Sequence, residues 1–277
     1  MRVVVVGGGG PLDAETVDRA RAHGLDVGLI PAEDPSTPRT VGELSALLRD
    51  CAVVIDLSGP PSLRDGTMTE TYGLVIDDEA SIEQMGRSTV RLLAAEFTAG
   101  VQHHVALSAV GVDRLRERGY FRALYAQEAM IRQSGMPYSI IRATNIFECV
   151  FDTADAGTED WIVWVTPVQV RPVAGTEVAT LLAHTAATKP VLGVREIAGP
   201  DQFRLDTFVR AALTSTDNEP RRVFTDSRSL YFGASLRHSD LLPGEEAYIA
   251  RIHYSNWLKG QSVLASPERA DRVEILD

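Results

Sequence analysis

Cysteine and basic residues are scarce in this chain, and their scarcity excludes several classes of protein. The two cysteines, Cys51 and Cys149, form no CxxC pair, so neither a zinc site nor a disulfide framework is expected. Lys and Arg number 27 against 38 Asp and Glu, which gives a net charge of -11. Because nucleic-acid binding depends on basic side chains that neutralise phosphates, we expect no nucleic-acid partner.

Long apolar segments are also missing. The N-terminal run at 2–6 is too short for a signal peptide and is followed at once by glycines. Mean hydropathy is -0.04, and the acidic surface disfavours anionic membranes, so we expect a cytoplasmic protein with no membrane partner. With 277 residues, 44% of them hydrophobic, the chain is long enough for one large domain or one domain with a small lobe.

Strand and helix patterns alternate through the first half of the chain. Buried strands are predicted at 2–6, 25–30, 52–57, 101–108 and 138–142. Helices are predicted between them, at 13–23, 41–49, 81–99 and 121–134. The alternation predicts an α/β fold, a Rossmann-type doubly wound parallel sheet over residues 1–150 with the first strand central. The less regular residues 151–277 are predicted to form a small C-terminal substrate lobe of the same globular unit.

The sequence GGGGPLD follows the first predicted strand. In it, Gly7 and Gly10 have the spacing of a dinucleotide loop, whose glycines permit a tight turn and a close approach of the pyrophosphate. The third glycine position holds Asp13, whose carboxylate satisfies the N–H groups of the helix start in place of a phosphate and repels one. Glu33 and Asp34, after the second strand, disfavour NADP, although a solvated acidic loop explains them equally well. Gly7 and Gly10 are therefore candidate cofactor residues, and NAD(P)(H) is expected to bind weakly.

A strand that ends at Ser108 and a helix that begins near Tyr120 form the second candidate site. This stretch resembles the NmrA-like branch of the atypical short-chain dehydrogenases/reductases. Further segments that carry the resemblance are GMPYSIIRAT at 135–144, AGP at 198–200, YFGA at 231–234 and LPG at 242–244. The resemblance covers nearly the whole chain and implies an NAD(P)-binding Rossmann fold.

The resemblance also implies roles for single residues. In that family the strand-end Ser positions a carbonyl and the Tyr of a Y-x-x-x-K motif donates a proton, while the Lys lowers the tyrosine pKa and holds the nicotinamide ribose. Ser108 and Tyr120 match and are the predicted catalytic residues. Leu124 stands at the lysine position, and Arg122 projects away from that helix face. A tyrosine without the lysine has a pKa near about 10, which is poorly matched to proton donation at neutral pH.

These departures leave three functions open. The first is a small-molecule enzyme repurposed for a non-redox step, such as a cyclisation, isomerisation or dehydration of an oxygenated, in some cases aromatic, substrate. The second is an NAD(P)H-dependent reductase of the NmrA-like family. The third is a non-catalytic regulator or partner-binding protein, as some NmrA-like members are. We rank the first above the second, and the third lowest because Ser108 and Tyr120 are both kept; no oligomeric state is predicted.

Other conspicuous residues are given no metal or catalytic role. His103 and His104 are adjacent on a strand, so their side chains point to opposite faces, and no metal site is predicted. Trp161 and Trp164 are predicted to line the substrate pocket, since ligand sites favour aromatic linings, with packing in the lobe as the alternative. Residues 64–80 are expected to form an altered loop at the cofactor edge of the sheet.

Overall fold

The computed structural model describes residues 1–7, 10–31, 38–58, 79–116, 119–215 and 221–265. Its strands are β1 (Arg2–Gly7), β2 (Asp26–Pro31), β3 (Val53–Asp56), β4 (His103–Ala109), β5 (Tyr138–Ala143), β6 (Thr158–Glu159), β7 (Ile162–Val165), β8 (Gln169–Val170), β9 (Gly193–Ala198), β10 (Phe203–Arg204), β11 (Arg222–Thr225) and β12 (Tyr248–Ile249). Its α-helices are α1 (Pro11–Ala22), α2 (Val41–Leu47), α3 (Glu79–Ala99), α4 (Gly119–Gln133), α5 (Val150–Ala156), α6 (Gly175–Ala186), α7 (Leu205–Ser215) and α8 (Tyr254–Ala265). The predicted alternation of strands and helices up to β5 is confirmed.

One parallel sheet organises the molecule. Its strand order is β12-β9-β5-β4-β3-β1-β2, and every pairing in it is parallel. This confirms the α/β, Rossmann-type doubly wound sheet. The expectation that β1 is central is wrong: β1 is second from the β2 edge of the described sheet, because β2 alone lies beyond it, and β4 is the middle strand.

The run of valines in β1 separates two apolar cores. Val4 and Val6 pack in a cluster that includes residues of α2, α3 and α4, whereas Val3 and Val5 pack in a cluster with residues of α1 and α6. Successive side chains of a strand point to opposite faces, so an uninterrupted apolar run suits a strand covered on both sides. Fully burying one such side chain contributes roughly 1.5–3 kcal/mol.

The C-terminal part contributes both to the main sheet and to a lobe. Besides β9 and β12, it contains a three-stranded sheet of order β11-β7-β6 and an antiparallel pair, β8 with β10. The lobe shares an apolar cluster with α4, in which Phe121, Phe147, Phe208 and Tyr254 are buried. No helix in the described ranges has both the length and the apolarity that a bilayer span requires.

A close backbone contact joins the lobe to the start of α4. Gly119 has a φ of +62°, and a Cβ built on it would lie 2.1 Å from the carbonyl oxygen of Phe232. The N–H of Tyr120 donates to the same carbonyl at 3.2 Å. Only a residue without a side chain permits this approach at a positive φ. The contact fixes Tyr120 against the segment that contains Tyr231 and Phe232.

The variant Gly119→Ala tests this contact against Gly100→Ala, which serves as its control. Both glycines have a positive φ, +62° and +75°, but nothing lies within 4 Å of a Cβ at Gly100. Both variants therefore carry the backbone cost of about 1–2 kcal/mol, and only Gly119→Ala adds an overpacking cost of about 1–3 kcal/mol. Urea unfolding measures the difference, and equal destabilisation of the two variants would contradict the contact.

Candidate active site

A cavity of about 150 Å³ lies where β4 and β5 end. Its lining includes Ser108 from β4, Tyr120 from the start of α4, residues that follow β5, and Tyr231 with Phe232 from the lobe. Open α/β sheets bind ligands at this carboxyl edge. The structure therefore brings the two predicted catalytic residues to one cavity.

Ser108 is hydrogen-bonded to a buried carboxylate that sequence analysis did not single out. Its Oγ donates to Glu128 Oε1 at 2.6 Å. Glu128, on α4, is 1% exposed. Arg142, which lies opposite Ser108 in the register of β4 and β5, donates to both carboxylate oxygens at 2.8 Å, and Arg132 donates at 2.6 Å.

The partners of Glu128 decide its charge. Burial by itself opposes ionisation, but hydrogen bonds from Arg142 and Ser108 and the charges of Arg142 and Arg132 hold the pKa of Glu128 below its ordinary value. The same carboxylate raises the pKa of Arg142 against the opposing effect of burial. Glu128 is therefore an ionised carboxylate that pairs with Arg142 and Arg132 and accepts a hydrogen bond from the Ser108 hydroxyl.

A second polar cluster lines the same cavity. It consists of Asn145, Cys149, Asp152, Thr153 and Tyr231. The side-chain amide of Asn145 donates to the Tyr231 hydroxyl at 2.6 Å, and Tyr231 is also hydrogen-bonded to Thr153. The thiol of Cys149 donates to the Asp152 carboxyl. Sequence reasoning missed this cluster because it lies after β5, where the regular strand and helix patterns end.

Asp152 is the member of this cluster that titrates near neutrality. Burial, and then the negative charge of Asp155, raise its pKa to about 6, while the hydrogen bond from Cys149 offsets part of the rise. Such a carboxyl is suited to both accepting and donating a proton at physiological pH. Desolvation by the surrounding protein and the neighbouring Asp152 and Glu148 raise the pKa of the Cys149 thiol to about 12, so Cys149 is a poor nucleophile.

The glycine loop departs from a phosphate site in two ways. The buried carboxylate of Asp13 packs against Gly7, and its Oδ2 occupies the space that a Cβ at Gly7 would need. Helix α1 begins with Pro11 after Gly10, and proline has no N–H to donate. Phosphate binding at a helix start depends on such N–H groups and on positive potential. Sequence reasoning identified Asp13 but missed Pro11, although the residue type alone carries the signal.

The lysine of the Y-x-x-x-K motif has no substitute among the described residues that line the cavity, which include no Lys or Arg. Leu124 is 1% exposed and belongs to the apolar cluster of the lobe. Arg122 is paired with Glu79 at 3.0 Å. Glu33, Asp34 and residues 64–78 lie outside the described residues.

The two adjacent histidines are buried on opposite sides of β4, as predicted. Nε2 of His103 lies 2.9 Å from the Ser139 hydroxyl, and Nδ1 of His104 lies 2.9 Å from the Glu96 carboxylate. Burial alone would lower the pKa of His104, but the Glu96 charge raises it. In the part of the chain that the structure describes, no group of His, Cys, Asp and Glu is arranged to hold a metal ion.

Trp161 and Trp164, which were predicted to line the substrate pocket, do not line the cavity between Ser108 and Tyr120. Trp161 is 81% exposed at the β6–β7 turn. Trp164 packs on Phe224, with ring centroids 5.5 Å apart. Trp164 also lines a small pocket of about 10 Å³, which shares three lining residues with that cavity, Thr153, Tyr231 and Phe232.

Comparison with known proteins identifies the fold. No family model matches the chain, and no curated protein matches it. DesIV, a dTDP-glucose 4,6-dehydratase from Streptomyces venezuelae solved as a double mutant with NAD and DAU bound, is similar with a TM-score of 0.68 and 15% identity over 98% of both chains. MoeE5 in complex with UDP-glucose and NAD has a TM-score of 0.63 and 16% identity over 95% of this chain and 98% of that one. A UDP-N-acetylglucosamine 4-epimerase from Bacillus cereus has a TM-score of 0.62 and 13% identity over 100% of this chain and 99% of that one. At such identities, the likenesses show the shared Rossmann fold.

Asp152→Asn should stabilise the protein at neutral pH. Because its pKa is raised on folding, the folded state keeps a proton that the unfolded chain has released, and the Asp152 contribution to stability falls as pH rises from about 4 to about 6. After allowance for partial solvent exposure, we expect a gain of about 1–3 kcal/mol at pH 7 and little gain at pH 4 in urea unfolding. Asp18→Asn, at an exposed position of α1, is the control for replacing an aspartate by asparagine, and a gain that both variants share would not be assigned to the Asp152 site. A gain for Asp152→Asn that is the same at both pH values would contradict the raised pKa.

Proposed function

We propose that this chain is a small-molecule enzyme that catalyses a non-redox proton-transfer reaction on an oxygenated substrate in the Ser108–Tyr120 cavity. The reaction class is a dehydration, isomerisation or cyclisation. The observation that carries the proposal is that the cavity has groups for proton transfer while the dinucleotide loop is unsuited to a phosphate. The cavity is lined by Tyr120 and Asp152, whereas the loop contains Asp13 and Pro11. Within the fold, the segments quoted above favour the NmrA-like branch.

The residues of the cavity suit an acid and a base acting on one substrate. As the base, Asp152 removes a proton from a carbon next to a carbonyl group. As the acid, Tyr120 donates its hydroxyl proton to the oxygen that leaves as water or that becomes an enol. In a dehydration the C–H and C–O bonds break and a C=C bond forms, and the proton on Asp152 exchanges with solvent as Tyr120 is reprotonated. No electrons are gained or lost, so the reaction needs no nicotinamide.

An NAD(P)H-dependent reductase is the second candidate, because DesIV and MoeE5, two structures with this fold, were solved with NAD. Against it stand the Asp13 carboxylate on Gly7, the missing N–H of Pro11 and the apolar Leu124. We propose that NAD(P)H binds weakly or not at all. A non-catalytic regulator gains no support from a cavity that contains a carboxyl poised to titrate near neutrality.

Titration calorimetry with NADH and NADPH tests the cofactor proposal. We expect no dissociation constant tighter than high micromolar. Asp13→Gly removes the carboxylate from the phosphate position and should strengthen binding about tenfold or more, which corresponds to about 1.4 kcal/mol. Asp18→Gly, on the same helix, controls for the effect of a new glycine. Low-micromolar binding by the unaltered protein would overturn the proposal in favour of the reductase.

The reaction is tested with 3-hydroxycyclohexanone, a single-ring β-hydroxy ketone, in D₂O without any nicotinamide. We expect deuterium incorporation beside the carbonyl and release of cyclohexenone, followed by NMR and ultraviolet absorbance. The rate should rise with pH through about 6, as the Asp152 carboxyl ionises. Tyr120→Phe and Asp152→Asn should each slow it about 10²- to 10⁴-fold, the usual effect of a lost acid or base.

The matched control is Tyr125→Phe. Tyr125 is on the same helix but does not line the cavity, so its hydroxyl should be dispensable. Full activity in Tyr120→Phe would show that the chemistry lies elsewhere. Turnover that appears only when NADH or NADPH is added would replace the proposal with the reductase.

A further inference from the structure

We infer that the cavity binds a single ring, free or as part of a larger ligand, that donates a hydroxyl proton to the oxygen of Ser108. This inference rests on the proposed function for the identity of the cavity as the substrate site, and it names the substrate class. In the reductase pattern this serine donates a hydrogen bond to a substrate carbonyl. Here Ser108 would instead accept a hydrogen bond from the ligand.

The first step concerns the single proton of the Ser108 hydroxyl. That hydroxyl donates to Glu128 Oε1 at 2.6 Å. An ionised carboxylate accepts hydrogen bonds and donates none, so the proton between the two groups belongs to Ser108. The oxygen of Ser108 then has only lone pairs left, and a ligand that meets it must supply the donor.

The second step is that Ser108 is not free to turn its proton into the cavity. Doing so would remove one donor from Glu128, a carboxylate that is 1% exposed. Leaving a buried charged acceptor short of a donor is unfavourable, because a carboxylate buried away from water cannot replace the lost hydrogen bond. Arg142 is itself held by Asp113 at 3.1 Å, so it is fixed on its other side and is not placed to compensate by moving.

The third step concerns the charges behind Ser108. Ser108 lies directly opposite Arg142 in the sheet register. Arg142 pairs with Glu128 and Asp113, and Arg132 pairs with Glu128. Because these charges are paired within the protein, the ligand has to supply a hydrogen-bond donor and no charge. A hydroxyl group meets that requirement.

The fourth step concerns size. The cavity measures about 150 Å³. A protein cavity of about 150 Å³ accommodates a benzene molecule, whereas sites for drug-sized ligands run from about 300 to 1,000 Å³. The cavity is open on one side, so this volume limits the part of a ligand that lies between Ser108 and Tyr120. A six-membered ring with one or two oxygen substituents fits there.

The test compares cyclohexanol with cyclohexanone, two rings of nearly equal size of which only the alcohol has a proton to donate. Protein-detected NMR titration gives both dissociation constants and needs no turnover, so it stays informative if the proposed reaction fails. We expect the alcohol to bind at least tenfold more tightly, with shifts at residues that line the cavity. Equal binding, tighter binding of the ketone, or no binding of either ring would overturn the inference.

Two variants locate the preference. Ser108→Ala removes the acceptor and should bring the two dissociation constants within about twofold of each other. Ser134→Ala is the matched control: its hydroxyl donates to the Ile131 carbonyl at 2.7 Å, away from the cavity, and the tenfold preference should persist. If Ser108→Ala does not fold, Ser108→Cys, which keeps the shape but is a weak acceptor, should show a reduced preference. A tenfold preference that survives loss of the serine oxygen would overturn the assignment to Ser108.

Discussion

One ionised carboxylate, buried between two arginines, holds the candidate active site together. An isolated buried charge costs several kcal/mol, and breaking a buried pair by removing one partner costs about 3–5 kcal/mol. Glu128 therefore requires Arg142 from β5, Arg132 from its own helix and the Ser108 hydroxyl from β4, and it receives all three. Because Tyr120 is on the same helix as Glu128, meeting this electrostatic requirement also sets the position of Tyr120 relative to Ser108.

Local patterns in the sequence were sufficient to predict the strands and helices up to β5, but not to predict the order of the strands in the sheet. The valine run of β1 and the alternation up to β5 depend on periodicity, which each segment carries by itself. The position of β1, which is second from the sheet edge between β2 and β3, depends on pairings between strands that are distant in the sequence. The resemblance to known reductases pointed to Ser108 and Tyr120. Glu128 lies on the same helix face as Tyr120 and Leu124, so helical spacing was a usable signal for it.

The sequence alone could not show that Asp152 is buried. Its raised pKa comes first from burial, which depends on how α5 packs in the lobe, and then from the charge of Asp155, three residues later on the same helix. Such a carboxyl destabilises the folded state at neutral pH, as functional groups often do. The dinucleotide loop is the opposite case. There the residue types of Asp13 and Pro11 are enough to indicate, from sequence alone, that phosphate binding is disfavoured.

The account depends most directly on the charge of Glu128, which carbon-13 NMR of the glutamate carboxyl groups measures. The Glu128 signal is assigned by its loss in Glu128→Gln or by its displacement in Ser108→Ala. We predict that it keeps the chemical shift of a carboxylate from pH 8 down to below 4.5, the ordinary value of a glutamate pKa. A signal that titrates above that value, or that is protonated at pH 7, would contradict the account, because Glu128 would then donate to Ser108 and free the serine proton for the cavity.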